Sequence, residues 1–184
     1  MKNLRSGLFL ILLALGGCAP WTAIDPDNRS ITVKDDYTLL APPGWTRKNY
    51  DIYDVFLSRD GPPLNFIIAY REKHERELAR TKRTTRPDLL PHEVAELVVA
   101  EQKAGGARGA FAVVSSRPAT IGGKAGVRVH TRWKTDRGLP IERVTYALVD
   151  RKGRLAFIYE APELVYFSRG LADFEALMKS VVFL

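Results

Sequence analysis

Cysteine is nearly missing from this chain: Cys18 is the only one in 184 residues. A single thiol rules out an intrachain disulfide, and with only three histidines there is little from which to build a zinc site. Those histidines, His74, His92 and His130, fall in three separate segments, so no pair has the close spacing of metal ligands on one element. No apolar run reaches the roughly 20 residues that a membrane-spanning helix needs. Phosphate-binding loops are missing too: neither Gly105-Gly106-Ala107-Arg108-Gly109 nor Gly122-Gly123-Lys124-Ala125-Gly126 has the required spacing, and both read as turns. Ser115 and Ser116 supply hydroxyls, but no nucleophile elbow surrounds them. The expectation is a non-enzymatic protein with no catalytic set, no metal and no cofactor.

What is present begins with an address. Lys2 and Arg5 precede an apolar run, Gly7 to Leu15, that is too short to anchor a helix and has the layout of a cleaved secretory signal. It ends in Leu15-Gly16-Gly17-Cys18, which resembles the lipobox of bacterial lipoproteins. That resemblance implies residues 1–17 as signal peptide and Cys18 as the acylated first residue of the mature chain. The alternative is an ordinary signal cut after Ala14-Leu15-Gly16, with Cys18 a spare thiol. Acylation would consume the only strong nucleophile and leave no free thiol in an oxidising compartment. Two or three acyl chains, at about 0.8 kcal/mol per buried methylene, hold a domain on a membrane almost permanently. By the sorting pattern of Gram-negative lipoproteins, Ala19 after the cysteine implies the periplasmic face of the outer membrane. Residues 18–29 carry two prolines and no apolar period, and read as a tether. A single domain is expected over 30–184.

Within that domain, Ile31 to Val33 and Tyr37 to Ala41 read as short strands around Lys34-Asp35-Asp36, and Tyr53 to Ser58 with Leu64 to Tyr70 as a hairpin. Pro91 to Lys103 is a helix with Pro91 at its first position and Gly105-Gly106 at its stop. Three long strands then form a meander, carrying Val127 to Trp133, Val144 to Leu148 and Leu155 to Tyr159 on alternating positions. Phe167, Leu171, Phe174, Met178 and Val181 recur at helical spacing, so the chain closes on an amphipathic helix from Glu163 to Ser180. Trp45 and Trp133 are expected to pack in the core or at its edge rather than form a ligand platform.

Pro43-Gly44-Trp45 near the start, a central helix, a long antiparallel meander and a last helix ending in Met178-Lys179-Ser180 together resemble the PsbP-like superfamily, over Ile31 to Leu184. The resemblance implies an α+β fold, an antiparallel β-sheet sandwiched by helices, and an accessory or binding role on a larger assembly. The chain departs from that pattern with a charged insertion at Arg71 to Arg86.

The insertion holds seven basic residues, Arg71, Lys73, Arg76, Arg80, Lys82, Arg83 and Arg86, against three glutamates. It supplies most of the excess charge, since the signal takes Lys2 and Arg5 from a net +7. It reads as a solvated excursion, or as a basic arm toward an anionic membrane or an acidic partner. A second basic feature comes from the meander. With a two-residue turn at Arg137-Gly138, Arg132 lies opposite Arg143 and His130 opposite Thr145. Arg128, His130, Arg132, Lys134 and Arg143 then form a strip on one sheet face. Either Glu93, Glu96 or Glu101 from a covering helix neutralises this strip, or it binds an external anion. Compartment excludes nucleic acid. The expected partners are a membrane, reached through the N-terminal lipid, and an envelope protein. The alternative is a small anionic envelope ligand, a lipid headgroup or cell-wall fragment, on the basic face. A hydrolase with an unrecognised site would need a polar cleft with a base beside a nucleophile.

Overall fold

Period-two alternation dominates the second half of the chain, and it builds a sheet with two buried faces. The computed structural model describes residues 20–49, 52–105 and 109–184; the signal segment and Cys18 lie outside them. The strands are β1 (Trp21–Ala23), β2 (Ser30–Val33), β3 (Tyr37–Leu40), β4 (Thr46–Lys48), β5 (Val55–Ser58), β6 (Phe66–Glu72), β7 (Gly109–Ile121), β8 (Lys124–Lys134), β9 (Pro140–Asp150), β10 (Gly153–Pro162) and β11 (Val182–Phe183). Eight of them form one antiparallel sheet in the order β1-β4-β5-β6-β10-β9-β8-β7, and the others a small sheet, β11-β3-β2.

Helix α1 (Pro91–Ala104) covers one face of the main sheet at its β7, β8 and β9 end. On the opposite face lie the small sheet and α2 (Ser168–Lys179), which follows a π-helical turn at Glu163–Phe167. The larger core fills that second interface. Trp45, Leu57, Ile67, Val144, Phe157 and Tyr159 meet Phe174, Leu177 and Met178 of α2 there, all at most 5% exposed. Val94, Ala95 and Val98 of α1 pack on Val127, Val129 and Ala147 to make a smaller core. Trp45 and Trp133 are both buried, as expected.

Three expectations are corrected. The meander has a further long strand, β7, at its edge: Gly109–Ile121 shows no clean alternation and contains Pro118, and it pairs with β8 through two irregularities. Residues read as a tether contribute β1, which pairs with β4, so the sheet starts before Ser30. The closing helix begins as a π-helical turn, where the Tyr159 hydroxyl donates to the carbonyls of Tyr166 and Phe167.

The register of β8 and β9 is also one residue away from that expected. Arg132 faces Glu142, His130 faces Val144, and Thr131 faces Arg143. The turn contains three residues rather than two. The Gly138 amide donates to the Thr135 carbonyl, the Thr135 amide to the Leu139 carbonyl, and Gly138 takes φ +79°. A turn closed by a left-handed residue is the usual three-residue hairpin loop, and glycine enters that region at no steric cost. Alternation alone favours the other parity only if a single face of the sheet is buried. With both faces covered, the apolar sets of the two strands point opposite ways: Val127 and Val129 toward α1, Val144 and Tyr146 toward α2.

Candidate functional site

The corrected register takes the basic strip apart. Arg143 lies on the α1 face, where it pairs with Glu160 and sits 5.0 Å from the Trp133 ring centroid. Arg128, His130, Arg132 and Lys134 stay together on the α2 face, but carboxylates reach all of them except Lys134 in the contacts seen. Arg128 binds Glu175 of α2 at 2.8 Å, and Glu175 also accepts from the Tyr146 hydroxyl. His130 bonds to Glu142 and stacks on Phe167, and Arg132 meets Glu163 at 3.2 Å. Lys134 is exposed at the end of the row. Burial, then the bond to Glu175, pushes the Tyr146 phenol up to about 12, so it stays a neutral donor across the physiological range.

The neutralising acids are therefore not Glu93, Glu96 and Glu101. Those belong to α1, on the other face, and two of them hold the charged insertion instead. Glu93 caps the helix by accepting from the Leu90 amide and pairs with Arg86, while Glu101 accepts the amides of Arg80 and Thr81. The insertion is further fixed by the buried Leu78 and by His74, bonded to Thr85 and to the Asp150 carbonyl. Lys73, Arg76, Arg80, Lys82, Arg83 and Arg86 remain exposed. Arg71 does not belong with them: its guanidinium binds Asp36 at 2.6 Å and Asp150 at 2.8 Å, with only 12% of the side chain exposed. The arm's inner wall makes a cleft of about 500 Å³ where Lys82 and Arg83 face Glu93 and Glu96. The carboxylates on the opposite wall make it a poor seat for an anion.

Two acids beside Arg71 titrate in opposite directions. Burial pushes the Asp54 carboxyl up, even though it accepts the Arg71 amide at 3.0 Å. For Asp150, burial pulls upward, but Lys124, the Lys152 amide and Arg71 outweigh it and hold the carboxyl below its usual range. A raised carboxyl contributes stability fully present below its unfolded pKa and lost as pH rises through the folded value. Asp54→Asn is accordingly expected to gain on the wild type as pH climbs from about 4 to 7, ending at least as stable at neutral pH. Thermal melts of both proteins across that range check this; a variant that loses ground with rising pH would contradict it. Asp150 behaves oppositely, its contribution disappearing as pH falls.

Another opening is a groove of about 600 Å³ between α1 and β7. Ala95, Val99 and Ala100 form one wall, Ser116 and Pro118 the other, and Val127 lies at the floor; His92 and Lys103 stand at the rim. Its size falls within the range of small-molecule and peptide pockets. It runs along the free edge of the sheet, where β7 exposes Val113 at 45% and Val114 at 51%. Pro118 and the irregular pairing of β7 blunt that edge against indiscriminate strand addition. From the sequence alone, His92, Glu96, Ser116 and Val127 take other roles, and no groove follows from them. The available signal was the breadth of the apolar stripe on α1, where Ala95, Val99 and Ala100 extend beyond the face of Val94, Leu97 and Val98.

An eight-stranded antiparallel sheet with α1 on one side and α2 with a small sheet on the other matches the structure of cyanobacterial PsbP (CyanoP) from Synechocystis sp. PCC 6803. The TM-score is 0.54 at 13% identity, over 94% of this chain and 99% of that one. The fold is PsbP-like. LpqN of Mycobacterium tuberculosis, described as involved in cell envelope biogenesis, aligns at TM-score 0.45 and 18% identity, over 89% of this chain and 90% of that one. No known sequence family matches the chain, and no curated protein matches its sequence. Within the PsbP-like fold, no helix among the described residues is long and apolar enough to cross a membrane. No three His, Cys, Asp or Glu side chains among them converge as metal ligands would.

Proposed function

We propose that this protein is a lipid-anchored accessory module of the cell envelope, non-catalytic, held at the periplasmic face of the outer membrane by Cys18 and binding a protein partner in the groove between α1 and β7. The groove carries the reading. It is apolar, large enough for a row of side chains, and open along the β7 edge of the sheet, with Lys103 and Arg117 outnumbering the one acid, Glu96, among its lining residues, which favours a segment with flanking acids. The lipobox-like Leu15-Gly16-Gly17-Cys18 supports the anchor. The alternative, a small anionic ligand on the basic strip, is disfavoured by the carboxylates already bound to Arg128, His130 and Arg132.

Photo-crosslinking residues placed at Ala100 and at Ser116, in intact cells, test the groove against a control at Leu164, which is 81% exposed on the π-helical turn. The expected result is one adduct of the same mass from both groove positions and none from the control. Adducts from Leu164 alone, or none at all, would remove the groove as the contact. The anchor has its own test: Cys18→Ser should abolish palmitate labelling and shift the protein from the membrane to the soluble fraction.

A further inference from the structure

At the other end of the sheet, five aromatic rings lie half-buried on a face that no helix among the described residues covers. Phe66 and Tyr70 of β6 point away from the main core, because their neighbours Ile67 and Ala69, both 1% exposed, point into it. Phe56 of β5 lies beside them, opposite Ile68. Trp21 of β1 meets Phe56 at 5.3 Å between ring centroids; Tyr53 meets Phe56 at 5.9 Å and Tyr70 at 5.7 Å, and Phe66 meets Phe56 at 5.9 Å. Helix α1 sits on the same side of the sheet, but over β7, β8 and β9. Lys48 holds its ammonium 5.3 Å from the Phe56 ring, and Ile52 next to the patch is 89% exposed.

The position of the patch names its occupant. Trp21 follows Cys18 by three residues, a stretch that reaches about 10 Å when fully extended. An acylated Cys18 lies at the headgroup level of the bilayer, so Trp21 is confined to the zone where tryptophan and tyrosine partition, with an apolar ring body inward and a polar tip in the wet layer. Lysine beside the rings suits anionic headgroups. We infer that the face formed by Trp21, Tyr53, Phe56, Phe66 and Tyr70, with Ile52 and Lys48 at its border, docks on the bilayer interface and fixes the domain's orientation on the membrane. This rests on the lipid anchor proposed above and adds to it a defined membrane-facing surface. The partner groove lies on the same side of the sheet but at its opposite end, about 30 Å away at the usual strand spacing.

The full acylated protein, reconstituted into vesicles of phosphatidylethanolamine and phosphatidylglycerol, provides the test, with part of the lipid brominated high on the acyl chains as a contact quencher. Of the three tryptophans, Trp45 and Trp133 are at most 4% exposed, so quenching reports Trp21. Emission should fall in the wild type by up to about a third, the share of one fluorophore in three, as expected for an interfacial indole. The fall should vanish in Trp21→Phe, which keeps an aromatic ring in place, and shrink by at least half in Ile52→Asp, an exposed position whose change leaves the core intact. Protein that floats with the vesicles yet shows no difference between wild type and Trp21→Phe would overturn the docking face while leaving the anchor standing. Protein that fails to float at all would overturn both.

Discussion

Trp45→Ala is expected to lower the unfolding free energy by about 3–5 kcal/mol, the usual cost of emptying a buried aromatic site. For a chain of this length that moves Tm by on the order of 10 °C. The indole is 1% exposed and lies edge-on to Tyr159 at 6.4 Å. Its Nε1 donates to Asp173 at 2.9 Å, and Asp173 also binds Arg59 at 3.0 Å, so the ring ties the start of β4 to α2. Alanine would leave both a cavity and a half-satisfied polar pair. Trp45→Phe keeps most of the apolar volume and loses the hydrogen bond, for about 1–2 kcal/mol. Calorimetric melts separate this from a ligand-platform role. An alanine variant melting within about 2 °C of wild type would mean that the ring contributes little to the fold.

Arg71→Ala is expected to cost about 3 kcal/mol, while Arg83→Ala, twelve positions further along the same basic segment, stays within about 0.5 kcal/mol. The difference lies in what each side chain touches. Arg71 joins the β2–β3 turn, through Asp36, to the β9–β10 turn, through Asp150 and the Gly153 carbonyl. Without it, two part-buried carboxylates lose their shared cation, and Lys124 and Lys152 compensate only in part, at 2.7 Å and 3.2 Å. Breaking a buried pair by removing one partner costs far more than the pair contributes, since the remaining charge stays desolvated. Arg71→Lys does not rescue the site, because a point charge cannot bridge Asp36 in two places and Asp150 in a third. Arg83 is exposed, and its backbone carbonyl accepts the Leu78 amide. Urea denaturation of the two variants measures the contrast, and equal costs would return Arg71 to the solvated arm.

Much of the architecture could be read directly. Alternation gave β8, β9 and β10, the Pro91 start and Gly105 stop bounded α1, and the 4-3-4-3 spacing of Phe167 to Val181 marked the closing amphipathic segment. The resemblance carried by Pro43-Gly44-Trp45 and the element order agrees with the fold observed. Strand β7 escaped because an edge strand with Pro118 and irregular pairing lacks the period that announces a strand. Trp21 escaped because a three-residue edge strand between prolines has the composition of a tether. For the membrane-facing patch a signal did exist: Phe66 and Tyr70 alternate with Ile67 and Ala69, which leaves two aromatic rings on a face opposite the core.

The sequence by itself determined the class of fold, the two helices and the three central strands of the meander, because each of these follows from local periodicity or from the order of the elements. Tertiary structure decided the rest. Register turned on whether the β8–β9 loop closes with two residues or three, a difference of one residue that put Arg143 on the face opposite Arg128, His130 and Arg132. Charge pairing turned on which helix covers which face, so that α2 and the sheet neutralised the strip while α1 tied down the insertion. Arg71 and Arg83 have the same side-chain chemistry and belong to the same basic segment. Only the turns that fold back onto Arg71 make one a buried bridge and leave the other in water, because the free energy of a charge depends on the groups around it in space rather than on its neighbours in the chain.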